Sequence, residues 1–490
     1  MFPAPLRKIP NGFLAGLSFF VFALSSPLSG GSQAPKGKPR VVVLTDISNE
    51  PDDEESLVRF LVYANEFEIE GLIATTSNWL KHKTREDILR NTIEAYGKVR
   101  ERLLVHAPGF PAREQLLAAT KTGQMGFGMA AVGEGKSTAG SKHLVEVVDR
   151  ADERPVWVTI WGGANTLAQA LFDVKATRDA AAVAKFASRI RAYAISDQDD
   201  AGRWIRTTFP DLFYIVSPST LGSQEYWRAT WTGISGDRYY KNGPMHRFEL
   251  VDNPWLEENI IENHGPLGAL YPRFAYIMEG DTPSFLGLID NGLGWSIEPS
   301  YGGWGGRYAL YQCSGESRPT WTDNADSRDT VTTERGPAQT SHQATIWRWR
   351  EAYQNDFAAR MDWCLAESYG QANHNPSAVL NGDRTKDVLN LSATAGETIA
   401  LSAEGSSDPD GNTVRTKWWV YREAGSFRGE LALSSSEGDK TSLIAPAVKK
   451  PETIHVILQL EDEGAPRLFA YRRAVITVNP SAQPGSASGN

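Results

Sequence analysis

From residue 40 to about residue 290 the chain alternates short apolar runs with amphipathic segments. No other feature limits the available folds so strongly. Residues 40–44, 71–75, 156–161, 190–195 and 212–215 read as strands, and 103–106 is a further apolar run of strand length. Residues 54–64, 85–100, 165–172 and 180–188 carry helical spacing. Such alternation predicts βαβ units and a largely parallel sheet. Strands of a parallel sheet end on one edge, and that edge is where open α/β folds place their ligands.

The pattern then changes. Residues 290–335 are rich in Gly, Trp, Asp and Thr and read as one long irregular insert. Residues 341–366 return to helical spacing and close the first domain, expected over 38–370. From about 374 to 480, short alternating segments at 398–403, 417–421, 454–460 and 474–478 are separated by turns such as Ser407-Asp-Pro-Asp-Gly411. These predict a small β-sandwich. Residues 481–490 are Pro/Ser/Gly-rich and predict a disordered tail.

Residues 1–32 read as a secretory signal and linker, with Arg7 and Lys8 ahead of an apolar stretch at 13–24. That stretch is short of the roughly 20 residues a spanning helix needs. The expected location is therefore secreted or periplasmic, with no membrane attachment after cleavage. Export permits a Cys313–Cys364 disulfide, and two free thiols are an equal reading. The formal net charge of −9 excludes nucleic acid as a ligand, because backbone binding needs a basic surface.

The first strand runs into Thr45-Asp-Ile-Ser-Asn-Glu-Pro-Asp-Asp53, which crowds Asp46, Glu50, Asp52 and Asp53 together. Like charges this close suit a hard cation such as Ca²⁺, which takes many oxygen ligands. A solvated acidic turn at a helix N-terminus is the competing reading. Three more segments set polar groups after an apolar run: Thr75-Thr-Ser-Asn78, Trp161-Gly-Gly-Ala-Asn-Thr-Leu-Ala168 and Glu279-Gly-Asp281.

The order and spacing of these four segments resembles the nucleoside hydrolase superfamily over roughly residues 40–300. Its fingerprint is Asp-x-Asp-Pro-Gly-x-Asp-Asp, a Gly-Asn after the second strand, a Gly-Pro-Leu-Thr-Asn turn and a late Asp. Within it, Trp161-Gly-Gly-Ala-Asn165, Ser196-Asp-Gln-Asp199 and Tyr301-Gly-Gly-Trp-Gly-Gly-Arg-Tyr308 are similar to nucleoside-hydrolase-like proteins described as cellulose-binding, which also carry a C-terminal β-sandwich. The resemblance implies a mostly parallel sheet flanked by helices, followed by a small immunoglobulin-like sandwich. It implies Ca²⁺ held by Asp46, Asp53, Asp281 and the Asn165 carbonyl. Asp46, or Asp52 beside it, would take a proton from the attacking water, and Asp52 and Asn78 would bind sugar hydroxyls. Asp197, Gln198 and Asp199 are further substrate candidates against an acidic-loop reading. Trp304 and Arg307 would stack on and clamp a sugar, or anchor their loop. The implied activity is hydrolysis of a glycosyl bond, and the implied partner is a polysaccharide or oligosaccharide, cellulose included. A non-catalytic carbohydrate-binding protein that kept the cradle is the alternative.

The departures point away from nucleosides. The opening loop has two extra residues, Leu44 stands where the family has its first Asp, and Gly280 stands where nucleoside hydrolases often have His. The ribose-binding stretch is not recognisable.

Overall fold

The protein is seen in a computed structural model that describes residues 37–481 apart from 49, 219–224, 242–245, 314 and 334–335. The expected secretory signal, and the expected tail beyond 481, lie outside the described residues.

Eight strands form the main sheet: β1 (Arg40–Thr45), β2 (Glu68–Ala74), β3 (Thr120–Thr122), β4 (Val156–Ile160), β5 (Ile190–Ser196), β6 (Phe213–Ser217), β7 (Ala309–Tyr311) and β8 (Thr320–Thr322). Their order is β3-β2-β1-β4-β5-β6-β8-β7. All pairings are parallel except that of β7 with β8. Every residue of β1 is buried, and the two-residue period of a strand shares its side chains between two cores. Val41 and Val43 join Leu72, Trp157, Trp161 and Tyr193 on one face. Val42 and Leu44 join Ile73, Val158, Ile160 and Ala192 on the other. A sheet covered on both faces explains why these strands read as continuous apolar runs.

Three expectations change. Residues 103–106 form the last turn of the helix Glu86–His106, where Leu103 and His106 continue its buried stripe and Val105 faces solvent. The insert at 290–335 contains strands: β7 and β8 extend the main sheet, and β9 (Asp329–Thr333) pairs with β10 (Gly336–Ser341). The closing helix is two pieces, Ala344–Trp347 and Arg350–Trp363.

The C-terminal part has a four-stranded sheet ordered β11-β16-β15-β13 and a two-stranded sheet β12-β14. The strands are β11 (Leu389–Thr394), β12 (Thr398–Ser402), β13 (Val414–Val420), β14 (Lys440–Ile444), β15 (Glu452–Asp462) and β16 (Phe469–Asn479). Leu401, Trp418, Leu443, Leu458 and Ile476 fill the core. All pairs are antiparallel except β11 with β16.

This sandwich is fused to the α/β part by buried polar contacts. Arg473 on β16 donates to the carbonyls of Leu293 and Gly302 at 2.7 and 2.9 Å, and to His455 Nδ1 at 2.9 Å. Asp329 accepts from Arg307, Arg348 and the Tyr421 hydroxyl at 2.6–2.8 Å. A β-carbon on Gly292, whose φ is +86°, would lie 1.9 Å from the Tyr471 carbonyl oxygen. Cys313 and Cys364 are both free thiols.

Candidate functional site

The strand order reverses between β1 and β4, so the loops after these two strands diverge and leave a crevice at their C-terminal ends. The β1 loop leads into the helix Asp52–Val62, whose first turn is Asp52, Asp53, Glu54 and Glu55. A helix N-terminus favours negative charge, which lets carboxylates gather here. Ser48 in that loop holds φ at +107°, a strained value for a residue with a side chain.

The β4 loop supplies space. A β-carbon on Gly162 would lie 2.5 Å from Asp46 Oδ1, and one on Gly163 would lie 2.5 Å from Asp199 Oδ2. Asn165 begins the helix Asn165–Thr177, and its side chain is fully engaged. Its Oδ1 accepts from Thr75 Oγ1 at 3.1 Å, and its Nδ2 donates to Thr76 Oγ1 and the Gly126 carbonyl at 3.0 and 2.8 Å. Asn165 thus clamps the ends of β2 and β4 together.

The late segment is set from behind. Glu279, at φ +56°, donates its N–H to Glu55 and is held by Arg59 at 2.5 Å and the Tyr271 hydroxyl at 2.7 Å. Trp161 Nε1 donates to Ser284 Oγ at 3.0 Å, and Ser284 Oγ donates to the Asp281 carbonyl at 2.7 Å. Asp281 is thereby delivered to the carboxylates of the β1 loop. A β-carbon on Gly280 would lie 2.6 Å from Asp52 Oδ2 and 3.1 Å from Trp231. The space a histidine would need here is filled by the acidic loop and an indole.

Carboxylate oxygens of Asp52, Asp53 and Asp281 lie within 4.8 Å of one another. Thr45 donates a short hydrogen bond to Asp53. Buried oxygens of Asp46 (Oδ1) and Asp281 (Oδ2) have no hydrogen-bond donor. Burial drives the carboxyls of Asp52, Asp53 and Asp281 well above the usual carboxylate range, and the charges of neighbouring carboxylates, Asp46 among them, add to it. Burial also raises Asp46, against a hydrogen bond from Ser77. Buried acceptors without donors, in an all-oxygen set, fit a hard divalent cation.

Beside this cluster lies a cavity of about 240 Å³. Glu50, Asp52 and Asp281 form its acidic side, and Trp79, Tyr226, Trp231, Tyr239, Tyr240 and Tyr276 supply aromatic walls. Gln198 lines it too, donating Nε2 to the Trp161 carbonyl at 2.8 Å.

The structure therefore brings together Asp46, Asp52, Asp53, Asp281 and Gln198, and separates other expected residues. Asn78 is half-buried, next to the cavity residue Trp79. Asp197 is spent on a bidentate pair with Arg206 at 2.8 Å. Asp199 is 1% exposed and accepts from the Asn165 and Ala201 amides, and burial pushes its carboxyl up to about 7. Trp304 is a core residue, and Arg307 is buried against Asp329. These four serve as internal supports, and the expectation that they touch a sugar is corrected accordingly. The aromatic walls were missed by sequence reasoning. Most come from the turn-rich stretch 226–277, which has no period to read.

A family model described as "Cellulose-binding Sde182, nucleoside hydrolase-like domain" matches residues 40–308, and one described as "Cellulose-binding protein Sde0182, C-terminal domain" matches 398–478. A solved nucleoside hydrolase-related protein from Saccharophagus degradans, associated with carbohydrate metabolism, is 38% identical with a TM-score of 0.77. That alignment covers 90% of this chain and all of the other. The effector protein XOO4466 is 8% identical with a TM-score of 0.36, covering 68% of this chain and 95% of its own. No curated protein matches.

Proposed function

The chain belongs to the nucleoside-hydrolase-like family of cellulose-binding Sde182 proteins, and from that premise we propose that it is an exported, Ca²⁺-dependent glycosidase acting on a glycan. One observation carries the reading. Buried carboxylates gather beside an aromatic cavity, with a donorless oxygen of Asp281 at its wall, at the switch point of a parallel sheet. Asp52, Asp53 and Asp281 would hold the cation, with the donorless oxygen of Asp46 and the Asn165 carbonyl as further ligands. When bound, a divalent cation supplies a Lewis acid that lowers the pKa of a water.

The rest falls to the chain's own groups. Asp52 lines the cavity and Asp46 does not, so Asp52 is the better placed to accept the water's proton. The carboxylate wall of Glu50, Asp52 and Asp281 stabilises the positive charge that builds on a sugar ring as its glycosyl bond breaks. The tyrosine and tryptophan faces take the apolar faces of the ring and exclude water.

The test is release of sugar by the purified full chain, with calcium or with chelator, from a panel of nucleosides and plant or algal glycans. Asp52→Ala is expected to lower the rate by about 10³-fold, in the range for loss of a general base. Glycan binding that survives Asp52→Ala, with no sugar released by the unaltered protein from any substrate, would leave a binding protein and end the enzymatic reading.

A further inference from the structure

We infer that the cavity takes one terminal sugar ring with neutral hydroxyls at Trp231 and Gln198, which makes the protein exo-acting and sets it against rings that bring a carboxylate, phosphate or ammonium to those two atoms. The inference rests on the same pocket being a glycosyl site.

Two polar atoms in its wall ask for a ligand. Trp231 is 5% exposed, and its indole Nε1, a donor only, has no acceptor. Gln198 spends its Nε2 on Trp161, and its buried Oε1, an acceptor only, has no donor. Both residues line the cavity. A carboxylate or phosphate set at these two atoms offers acceptors alone: it would serve Trp231, leave Gln198 unpaired and face Glu50, Asp52 and Asp281. An ammonium set there offers donors alone and leaves Trp231 unpaired. Hydroxyl groups both donate and accept, so a neutral polyol is the chemistry that satisfies both atoms. Among the described residues, no lysine or arginine lines the cavity to balance an anion.

Size sets the rest. The volume of about 240 Å³ is below the roughly 300–1,000 Å³ of sites for drug-sized ligands. One ring fills it, and the chain must leave through the mouth. There Tyr239 and Tyr276 stand half exposed with ring centroids 5.4 Å apart, a platform for the next unit.

The experiment is binding by saturation-transfer NMR and calorimetry to the full chain with calcium. The probes are cellobiose, xylobiose, laminaribiose and β-1,4-galactobiose, each beside its counterpart ending in a uronic acid or an amino sugar. At least one neutral probe is expected to bind at least tenfold tighter than its charged counterparts. Trp231→Phe, which keeps the ring and removes the N–H, and Gln198→Met should each weaken it about tenfold, with unchanged thermal unfolding. Failure of every neutral probe, equal or tighter binding of a charged one, or unaltered affinity in both variants would overturn the inference. A hexasaccharide labelled at its reducing end should lose single units first, and internal cuts would overturn the exo assignment. Neutral binding without any cleavage would instead remove the glycosidase reading and leave the pocket's preference standing.

Discussion

Asp281 and Asp329 are both buried aspartates, 3% and 0% exposed, and the protein treats them in opposite ways. Burial raises both, but at Asp329 the guanidiniums of Arg307 and Arg348 overcome it and hold the carboxyl below its usual range. At Asp281 burial is joined by the charges of Asp53, Asp52 and Asp46, and the carboxyl rises well above that range. The seam between the α/β part and the sandwich answers each charge from within. The crevice leaves its charges to be answered from outside. A buried charge with internal partners belongs to the architecture; one without them belongs to a ligand.

The sharpest way to break this contrast is to remove the charge at the seam. Asp329→Asn leaves Arg307 and Arg348 enclosed without a carboxylate, and should cost about 3–5 kcal/mol in denaturant unfolding. An unchanged midpoint would put the seam's charges on the same footing as surface pairs.

Next comes the cation. Calcium at about 100 times its Kd should stabilise the protein by about 2.7 kcal/mol, a few degrees in Tm. Asp53→Asn should abolish that shift while raising the Tm of the chelated protein, because one of the repelling carboxylates is gone. A calcium shift that persists in the variant would move the metal away from Asp53.

The two regions should also respond oppositely to pH. Where a carboxyl is raised in the folded state, the folded protein holds protons that the unfolded chain has lost. The chelated crevice therefore loses stability as pH rises above about 4, and calcium should reverse that slope. His455 at the seam is held well below 6.5 by burial and by Arg473 and Arg307. The unfolded chain takes up a proton there first, so stability is lost as pH falls below about 6.5. Between pH 6.5 and 5.5 the loss is about 1 kcal/mol for this one group. His455→Gln, which keeps an acceptor for Arg473, should flatten that part of the profile. The smallest effect is expected at the cavity mouth: Tyr276→Ala should weaken glycan binding by about 1 kcal/mol, read by calorimetry.

Much of this was legible in the residues. Doubly covered strands announce themselves as apolar runs, and the crowding of Asp46, Asp52 and Asp53 marked the crevice. Asp281 was placed with them by the family resemblance; the strand expected ahead of it is absent among the described residues, and a turn held by Arg59 and Tyr271 delivers it instead. What escaped has a common cause. Asp197 and Asp199 flank Gln198, yet one faces Arg206 and the other two backbone amides, and no sequence pattern says which way a loop side chain turns. Trp304 and Arg307 in a Gly-rich loop look the same whether they anchor it or serve it. The 103–106 run is too short for its period to separate a strand from a last helical turn.

The contact of Gly292 with the Tyr471 carbonyl has a practical side. No side chain larger than hydrogen fits at this contact, and Arg473 draws its acceptors from the other half. The C-terminal sandwich is therefore a poor candidate for an interchangeable affinity tag. Cut free, it would carry a bare guanidinium and an uncovered Trp419–Tyr421–Tyr471 face into solvent, and graft onto a foreign enzyme only with its mate rebuilt. The unit that an engineer can move is the whole two-part body.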